Sequence, residues 1–258
     1  MADLFRLDGK IAVVIGGAGG LGEPIALGFA HQGADVAVAS RRLDAVQKVA
    51  EKIRKETPRE AAAFQVDATD EKSVIRLKEQ VLEKFGTVDI LVNAHGTSIK
   101  KPAHEFPVDI WNQQFALNAL AFMLPCREFG KVMMAKKKGK IINLSSVRGT
   151  RATFWGGNTG YSSSKGAVDM YTRALSAEWA PYCINVNAIA PTIIRTPLTE
   201  SLGILSEEHL KKYLANVPLK RIGEPQDMAS LAIFLASSAS DFITGQVFYL
   251  DGGLTAVG

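Results

Sequence analysis

Apolar positions along the chain follow two alternating periods. Residues 10–15 read KIAVVI, a continuous β-branched run expected of a strand buried on both faces of a parallel sheet. A glycine cluster stops it, and from Leu21 the stretch LGEPIALGFAHQG carries helical periodicity as far as Gly33. The pattern then repeats. Strands are predicted over 35–39, 61–66, 88–93, 140–144, 184–189 and 246–250. Helices are predicted over 42–55, 70–85, 108–134, 162–180 and 225–236. Seven strands separated by helices, with no linker, composition break, internal repeat or low-complexity tract, predict an α/β fold: one Rossmann-like domain over 1–258, a doubly wound parallel sheet with helices on both faces. One piece, 192–223, interrupts the alternation and is expected to be a mobile lid over a substrate.

Composition narrows the class. The 258 residues are 47% hydrophobic and 22% charged, without a long apolar run, which excludes disorder, a collagen-like repeat and a membrane span. Thirty basic residues against 26 acidic ones give a net charge of +4. The basic residues are scattered apart from the run Lys136, Lys137 and Lys138, which reads as a solvated helix end, so no nucleic-acid partner is expected. Cys126 and Cys183 lack CxxC or histidine-spaced companions, so neither a disulfide framework nor a metal site is expected. With no signal-like start, the expected location is the cytosol.

The glycine cluster over 16–22 (GGAGGLG) lies between the first strand and first helix, where Gly16, Gly20, Leu21 and Gly22 would bring backbone N–H groups and a helix N-terminus to a ligand phosphate. Its spacing is wider than GxGxxG. The second strand ends in Ser40, Arg41 and Arg42 rather than an acidic residue that would select NAD, so NADP(H) is expected to be preferred, with NAD(H) possible; the alternative is a solvated helix start. Tyr161 and Lys165, four apart at a helix start, share one face, and a cation beside a phenol lowers its pKa from about 10. By itself YxxxK is a short pattern; beside a glycine loop it points to a proton donor and acceptor. Ser146, at the end of the fifth strand, could polarise a carbonyl, or be a plain strand-end serine.

With these residues in place, the chain resembles the short-chain dehydrogenase/reductase family over essentially its whole length. The glycine loop matches TGxxxGxG with Ile15 in place of Thr. Asp67 and Ala68 match the adenine-contacting pair, and Asn93, Ala94, His95 and Gly96 match NNAG with substitutions. Asn118, Ser146, Tyr161 and Lys165 match the catalytic tetrad. Pro191, Ile194 and Thr196 match the PGxIxT segment beside the nicotinamide, with Thr192 in place of Gly, and DGG at 251–253 matches the usual end. The resemblance implies that Tyr161 is the general acid/base and that Lys165 depresses its pKa and binds the nicotinamide ribose. It implies further that Ser146 polarises the carbonyl, Asn118 holds a relay water, and four chains assemble as a homotetramer, or two as a homodimer. An apolar stripe of Phe115, Leu117, Leu120 and Met123 would suit such an interface or the core.

Ser146 and Tyr161 lie 15 positions apart, and the extra residues fall on the substrate side. Arg148 or Arg151, with His95 and Trp155, is therefore expected to face an acidic or polyhydroxy small molecule, although both arginines could equally sit on an exposed loop. The segment KRIG at 220–223 and the C-terminal tail resemble gluconate 5-dehydrogenases and related sugar and polyol dehydrogenases. A 3-oxoacyl-[acyl-carrier-protein] reductase is the alternative within the family, and a non-catalytic nucleotide-binding regulator the alternative outside it.

Overall fold

Strands form where β-branched residues are apolar at consecutive positions, because each strand has helices on both sides. In the computed structural model, which describes residues 3–153, 156–201 and 205–257, β1 (Ile11–Ile15) is buried at all five positions. Ala12 and Val14 serve one helix layer, and Val13 and Ile15 the other. The further strands are β2 (Asp35–Ser40), β3 (Ala61–Gln65), β4 (Ile90–Asn93), β5 (Gly139–Leu144), β6 (Ile184–Pro191) and β7 (Val247–Leu250). All pairings are parallel, in the order β3-β2-β1-β4-β5-β6-β7. The order reverses between β1 and β4, which opens a crevice at their carboxyl ends, the place where such sheets bind ligands.

One layer holds α1 (Gly22–His31), α2 (Leu43–Glu56) and α9 (Pro225–Ala236), packed through Phe29, Ile53 and Leu235. The other holds α3 (Glu71–Phe85), α4 (Val108–Phe115), α5 (Ala121–Ala135) and α6 (Thr159–Trp179), with Leu77, Phe129 and Trp179 in its core. Asp70 caps α3 by accepting from the Lys72 N–H, and Gly86, at φ 76°, ends it. Proline at its first position and the Glu224 N–H donating to Asp227 start α9.

The single helix expected over 108–134 is divided. Between α4 and α5 lies a π-helical turn, Ala116–Leu120. Periodicity is blind to one extra residue per turn, and Pro125, without an N–H, weakens the ladder of the next turn. The described residues of segment 192–223 hold more regular structure than the sequence pattern suggests. It contains α7 (Pro197–Ser201) and α8 (Glu207–Leu214), and its ends are stitched together: Gly223 N–H donates to the Ile193 carbonyl (3.0 Å) and Arg195 N–H to that of Gly223 (2.8 Å). Beneath it, Val147, Tyr213, Val217, Ile222 and Leu254 form a small core of their own.

Candidate active site

Where β1 ends, the chain must turn hard against β4. Gly16 has φ +86°, and a β-carbon there would lie 2.7 Å from the main chain of Ala94 and His95; one on Gly22 would lie 2.3 Å from the Gly16 carbonyl. Gly19 and Gly20, also at positive φ, face open space instead. No side chain caps the first turn of α1 behind Leu21, so a concave cradle ends on a bare helix N-terminus, suited to phosphate. At the end of β2 the Ser40 hydroxyl accepts from Arg42 N–H (3.2 Å), turning the chain. Arg41 and Arg42 are exposed and make no ion pair among the described residues. Asp67 accepts from the hydroxyl (2.6 Å) and N–H (2.9 Å) of Thr69. Those bonds hold its carboxyl below its ordinary pKa, with a smaller contribution from Arg41. Ala68 is buried beside it.

Asn93 departs from expectation. The pleat of β4 sends its side chain into the helix layer, where Nδ2 donates to Asn143 Oδ1 (2.9 Å) and to Cys126 Sγ (3.3 Å). Only its backbone reaches the crevice. Next to it, Ala94 N–H donates to the Ile15 carbonyl (2.7 Å), tying the loop to β1 without the threonine hydroxyl that Ile15 lacks. The His95 ring packs on Phe122 at 4.6 Å between centroids, and both of its nitrogens are buried without a hydrogen-bond partner. Burial pushes its pKa down to about 4, with Lys165 acting in the same direction. A buried neutral imidazole, with one donor and one acceptor nitrogen lacking a good partner, calls for a ligand or water. Together with the glycine cradle and the free arginines, it fits a phosphorylated dinucleotide.

The helix expected over 162–180 begins three residues early, so Tyr161 stands in its first turn. One turn on, Lys165 Nζ donates to the Leu144 carbonyl (2.7 Å) and lies 4.9 Å from the Phe122 ring centroid and 6.0 Å from that of Tyr161. Burial lowers its pKa to about 8, opposed by Asp169. Burial also raises the Tyr161 phenol. What draws it back down is first a hydrogen bond from the Ser146 hydroxyl, then the charge of Arg148. The Lys165 ammonium, expected to lower the pKa of the tyrosine, is held on the β5 carbonyl one helical turn away from it. Gly96, at φ +146°, leaves the gap between Lys165 and Asn118: a β-carbon there would sit 3.3 Å from Nζ and 3.1 Å from Asn118 Oδ1.

Asn118 lies on the π turn, fully buried. Its Oδ1 accepts from Thr97 N–H (2.9 Å), while Nδ2 donates to the Thr97 carbonyl (2.8 Å) and to Ser164 Oγ (3.0 Å). Thr97 and Ser164 escaped the sequence reading. Ser164 had a signal, since it sits one helical turn beyond Tyr161 on its face; Thr97 had none.

The two loop arginines separate. Arg151 is drawn to the C-terminal tail, where Nη1 donates to the carbonyls of Leu254 and Val257 (3.3 Å to the latter). Arg148 stays beside Tyr161, its Nη1 donating to the Ala152 carbonyl (2.9 Å). Trp155 lies outside the described residues. Pro191 ends β6, the Thr196 hydroxyl meets that of Thr199 (3.1 Å), and Ile194 packs under Gly223. Thr192, where the family pattern has Gly, shares a short hydrogen bond with the buried Tyr213 hydroxyl of α8.

The family model described as enoyl-(acyl carrier protein) reductase matches residues 16–255. A 2-dehydro-3-deoxy-D-gluconate 5-dehydrogenase from Pseudoalteromonas atlantica is 38% identical over 255 residues, covering 98% of each chain. A 3-oxoacyl-[acyl-carrier-protein] reductase from Thermotoga maritima is 33% identical over 252 residues, covering 96% of this chain and 99% of its own. The crystal structure of a gluconate 5-dehydrogenase from Burkholderia cenocepacia, in complex with NADP and tartrate, matches with a TM-score of 0.92 at 32% identity, covering 99% of each chain. The chain belongs to the short-chain dehydrogenase/reductase family. It is accordingly an NAD(P)-dependent oxidoreductase.

Proposed function

We propose that the protein interconverts a secondary alcohol and a ketone on a sugar acid, sugar or polyol, with NADP(H) preferred. The observation that carries this reading is the convergence of Ser146, Tyr161 and Lys165 at the carboxyl edge of the sheet, beside a glycine cradle flanked by the unpaired Arg41. The cradle, Ser40, Arg41, Arg42, Asp67 and the backbone of 93–96 would hold the dinucleotide, with Lys165 and the 191–196 strand end beside its nicotinamide half. Bound there, it supplies hydride exchange with the substrate carbon. The remaining work is the protein's. Ser146 donates a hydrogen bond to the substrate oxygen, and Tyr161 gives or takes the proton on that oxygen. Lys165, still mostly charged at neutral pH with a pKa of about 8, favours the phenolate as the proton leaves. Because the Asn118 amide is filled by Thr97 and Ser164, its main-chain carbonyl is what remains to hold a water leading from Lys165 to solvent.

The polar wall of Arg148, Thr192 and Tyr213 favours a hydroxylated substrate over an acyl chain, and the complete set of Asn118, Ser146, Tyr161 and Lys165 favours an enzyme over a non-catalytic regulator. Segment 192–223 acts as the lid. The outer faces of α5 and α6, with Leu120 and Met170 exposed beside Met123 and Tyr171, serve as a homotetramer interface. The cytosol suits the free Cys126 and Cys183. No helix among the described residues is long and apolar enough to cross a membrane.

The test is loss of NADPH absorbance with a panel of keto-sugar acids, ketoses and acyl ketones. Tyr161→Phe is expected to lower kcat at least ~100-fold, and Arg41→Ala to raise KM for NADPH ~10-fold with little change for NADH. Activity that survives Tyr161→Phe overturns the assigned acid/base. Turnover of acyl ketones alone would replace the carbohydrate reading.

A further inference from the structure

A guanidinium that loses its water needs an anion. Arg148 follows Ser146 by two residues in a 3₁₀ turn, Val147–Gly149, which is fixed from both ends. The Ser146 hydroxyl accepts from Arg148 N–H (3.2 Å), and Gly149 is pressed against α6 so closely that a β-carbon would lie 2.3 Å from Asp169 Oδ2. The backbone of Arg148 is therefore held as firmly as that of the carbonyl-polarising serine. Its side chain is partly buried, and its hydrogen-bonding partner is the Ala152 carbonyl, which satisfies one of five N–H donors and none of the charge. Among the described residues it forms no ion pair.

Its surroundings raise the need for an anion. Burial works against its charge, and Arg151 adds repulsion. The groups that favour its charged form are two phenols, Tyr213 of the lid and the catalytic Tyr161. The carboxylate within reach of Tyr213, Asp251, accepts from the N–H groups of Gly253 (2.9 Å) and Thr255 (2.7 Å) and so is held in the C-terminal turn. A positive group thus stands between the proton-transfer tyrosine and the lid, with no carboxylate of the described residues on it. This geometry is the one expected where the substrate brings the negative charge.

We propose that Arg148 is the specificity-determining residue that binds the carboxylate of the substrate, so that the enzyme prefers an acidic sugar derivative to its neutral counterpart. The assignment rests on the carbohydrate reading above and narrows it to one chemical class. Two of the remaining guanidinium N–H groups can donate side by side to a carboxylate, while Ser146 and Tyr161 take the reacting oxygen farther along the chain.

The test compares D-gluconate with D-glucitol, which differ at C1 alone, a carboxylate against CH₂OH. Binding to the NADPH complex is measured by calorimetry, and NADP⁺-dependent oxidation by kcat/KM. Wild type is expected to favour gluconate at least ~10-fold. Arg148→Met is expected to weaken gluconate roughly 100-fold, the loss of one charge-assisted bidentate pair, and to bring the acid-to-neutral ratio close to one. Arg148→Lys, which keeps the charge and loses the fork, recovers part of that ratio and covers the case in which the methionine variant folds poorly. A merely structural role would weaken both ligands alike and leave the ratio where it was, which overturns the assignment. Equal binding of gluconate and glucitol by wild type also overturns it, while the carbohydrate reading stands. Failure of wild type to bind either sugar overturns both.

Discussion

Residue by residue, the site is governed by burial more than by contacts between charges. His95 shows this most simply. Its ordinary pKa near 6.5 falls to about 4 because the ring is buried on Phe122 and faces the charge of Lys165, which outweigh the main-chain groups of Ala121 and Ile15. A lowered value means that the unfolded chain binds a proton between pH 6.5 and 4 that the folded chain refuses, so stability falls as the pH drops through that window. The loss reaches about 2 kcal/mol by pH 5 and about 3 kcal/mol by pH 4. Denaturant unfolding at pH 7.5 and pH 5 measures it. His95→Gln, which cannot titrate, is expected to lose less stability between those two conditions than wild type, and an equal loss would place the acid sensitivity elsewhere. Tyr161, Lys165 and Ser146 were legible because they recur at fixed spacing on predicted elements. The direction of the Asn93 side chain was not legible, because a motif gives a residue's position along a strand and not the face its pleat presents. Thr97 escaped for a related reason: it contributes main-chain N–H and C=O, which every residue carries.

Among the elements, the strands and most helix ends were readable from periodicity and capping chemistry, since Asp70, Gly86 and Pro225 each have a local reason to be where they are. The regular structure within the described part of 192–223 was not, because residues 193–195 and 223 pair across nearly the whole length of the segment. Thr192 and Tyr213 hold its start to α8, the Tyr213 hydroxyl being buried. Thr192→Val removes that bond and leaves the hydroxyl with the Ile193 main chain, and is expected to cost about 1 kcal/mol. Tyr213→Phe removes the same bond from its other end, so the double variant is expected to be more stable than the sum of the two single losses predicts, by about 0.5–1 kcal/mol. Unfolding free energies of the four proteins decide the matter; strict additivity would mean that the two hydroxyls do not act on each other. The π turn was equally unreadable. It places Asn118 against Thr97 and Ser164 by a change of helical pitch that hydrophobic spacing does not record.

For the molecule as a whole, the sequence spoke clearly about the sheet and weakly about its outer surface. The stripe of Phe115, Leu117, Leu120 and Met123 suited core or interface, and the structure divides it: Met123 packs against the core, Phe115 stacks on Trp111, and Leu120 faces outward. The interior of α5 is instead Phe122, Leu124, Phe129 and Met133, while Leu120 is 39% exposed and Met170 of α6 60%. For the homotetramer proposed on these faces, Met170→Asp is expected to shift the mass in light scattering toward a dimer or monomer while leaving the far-ultraviolet circular dichroism intact. An unchanged mass would move the interface elsewhere. The strand order also sets a timetable for synthesis. The central strand β1 pairs on one side with β2, some 20 residues later, but its other side waits for β4, about 75 residues after it. At about 5–20 residues per second on the ribosome, an apolar strand edge stays open for roughly 4–15 seconds, an interval in which the nascent chain is exposed to chaperones and to neighbouring chains.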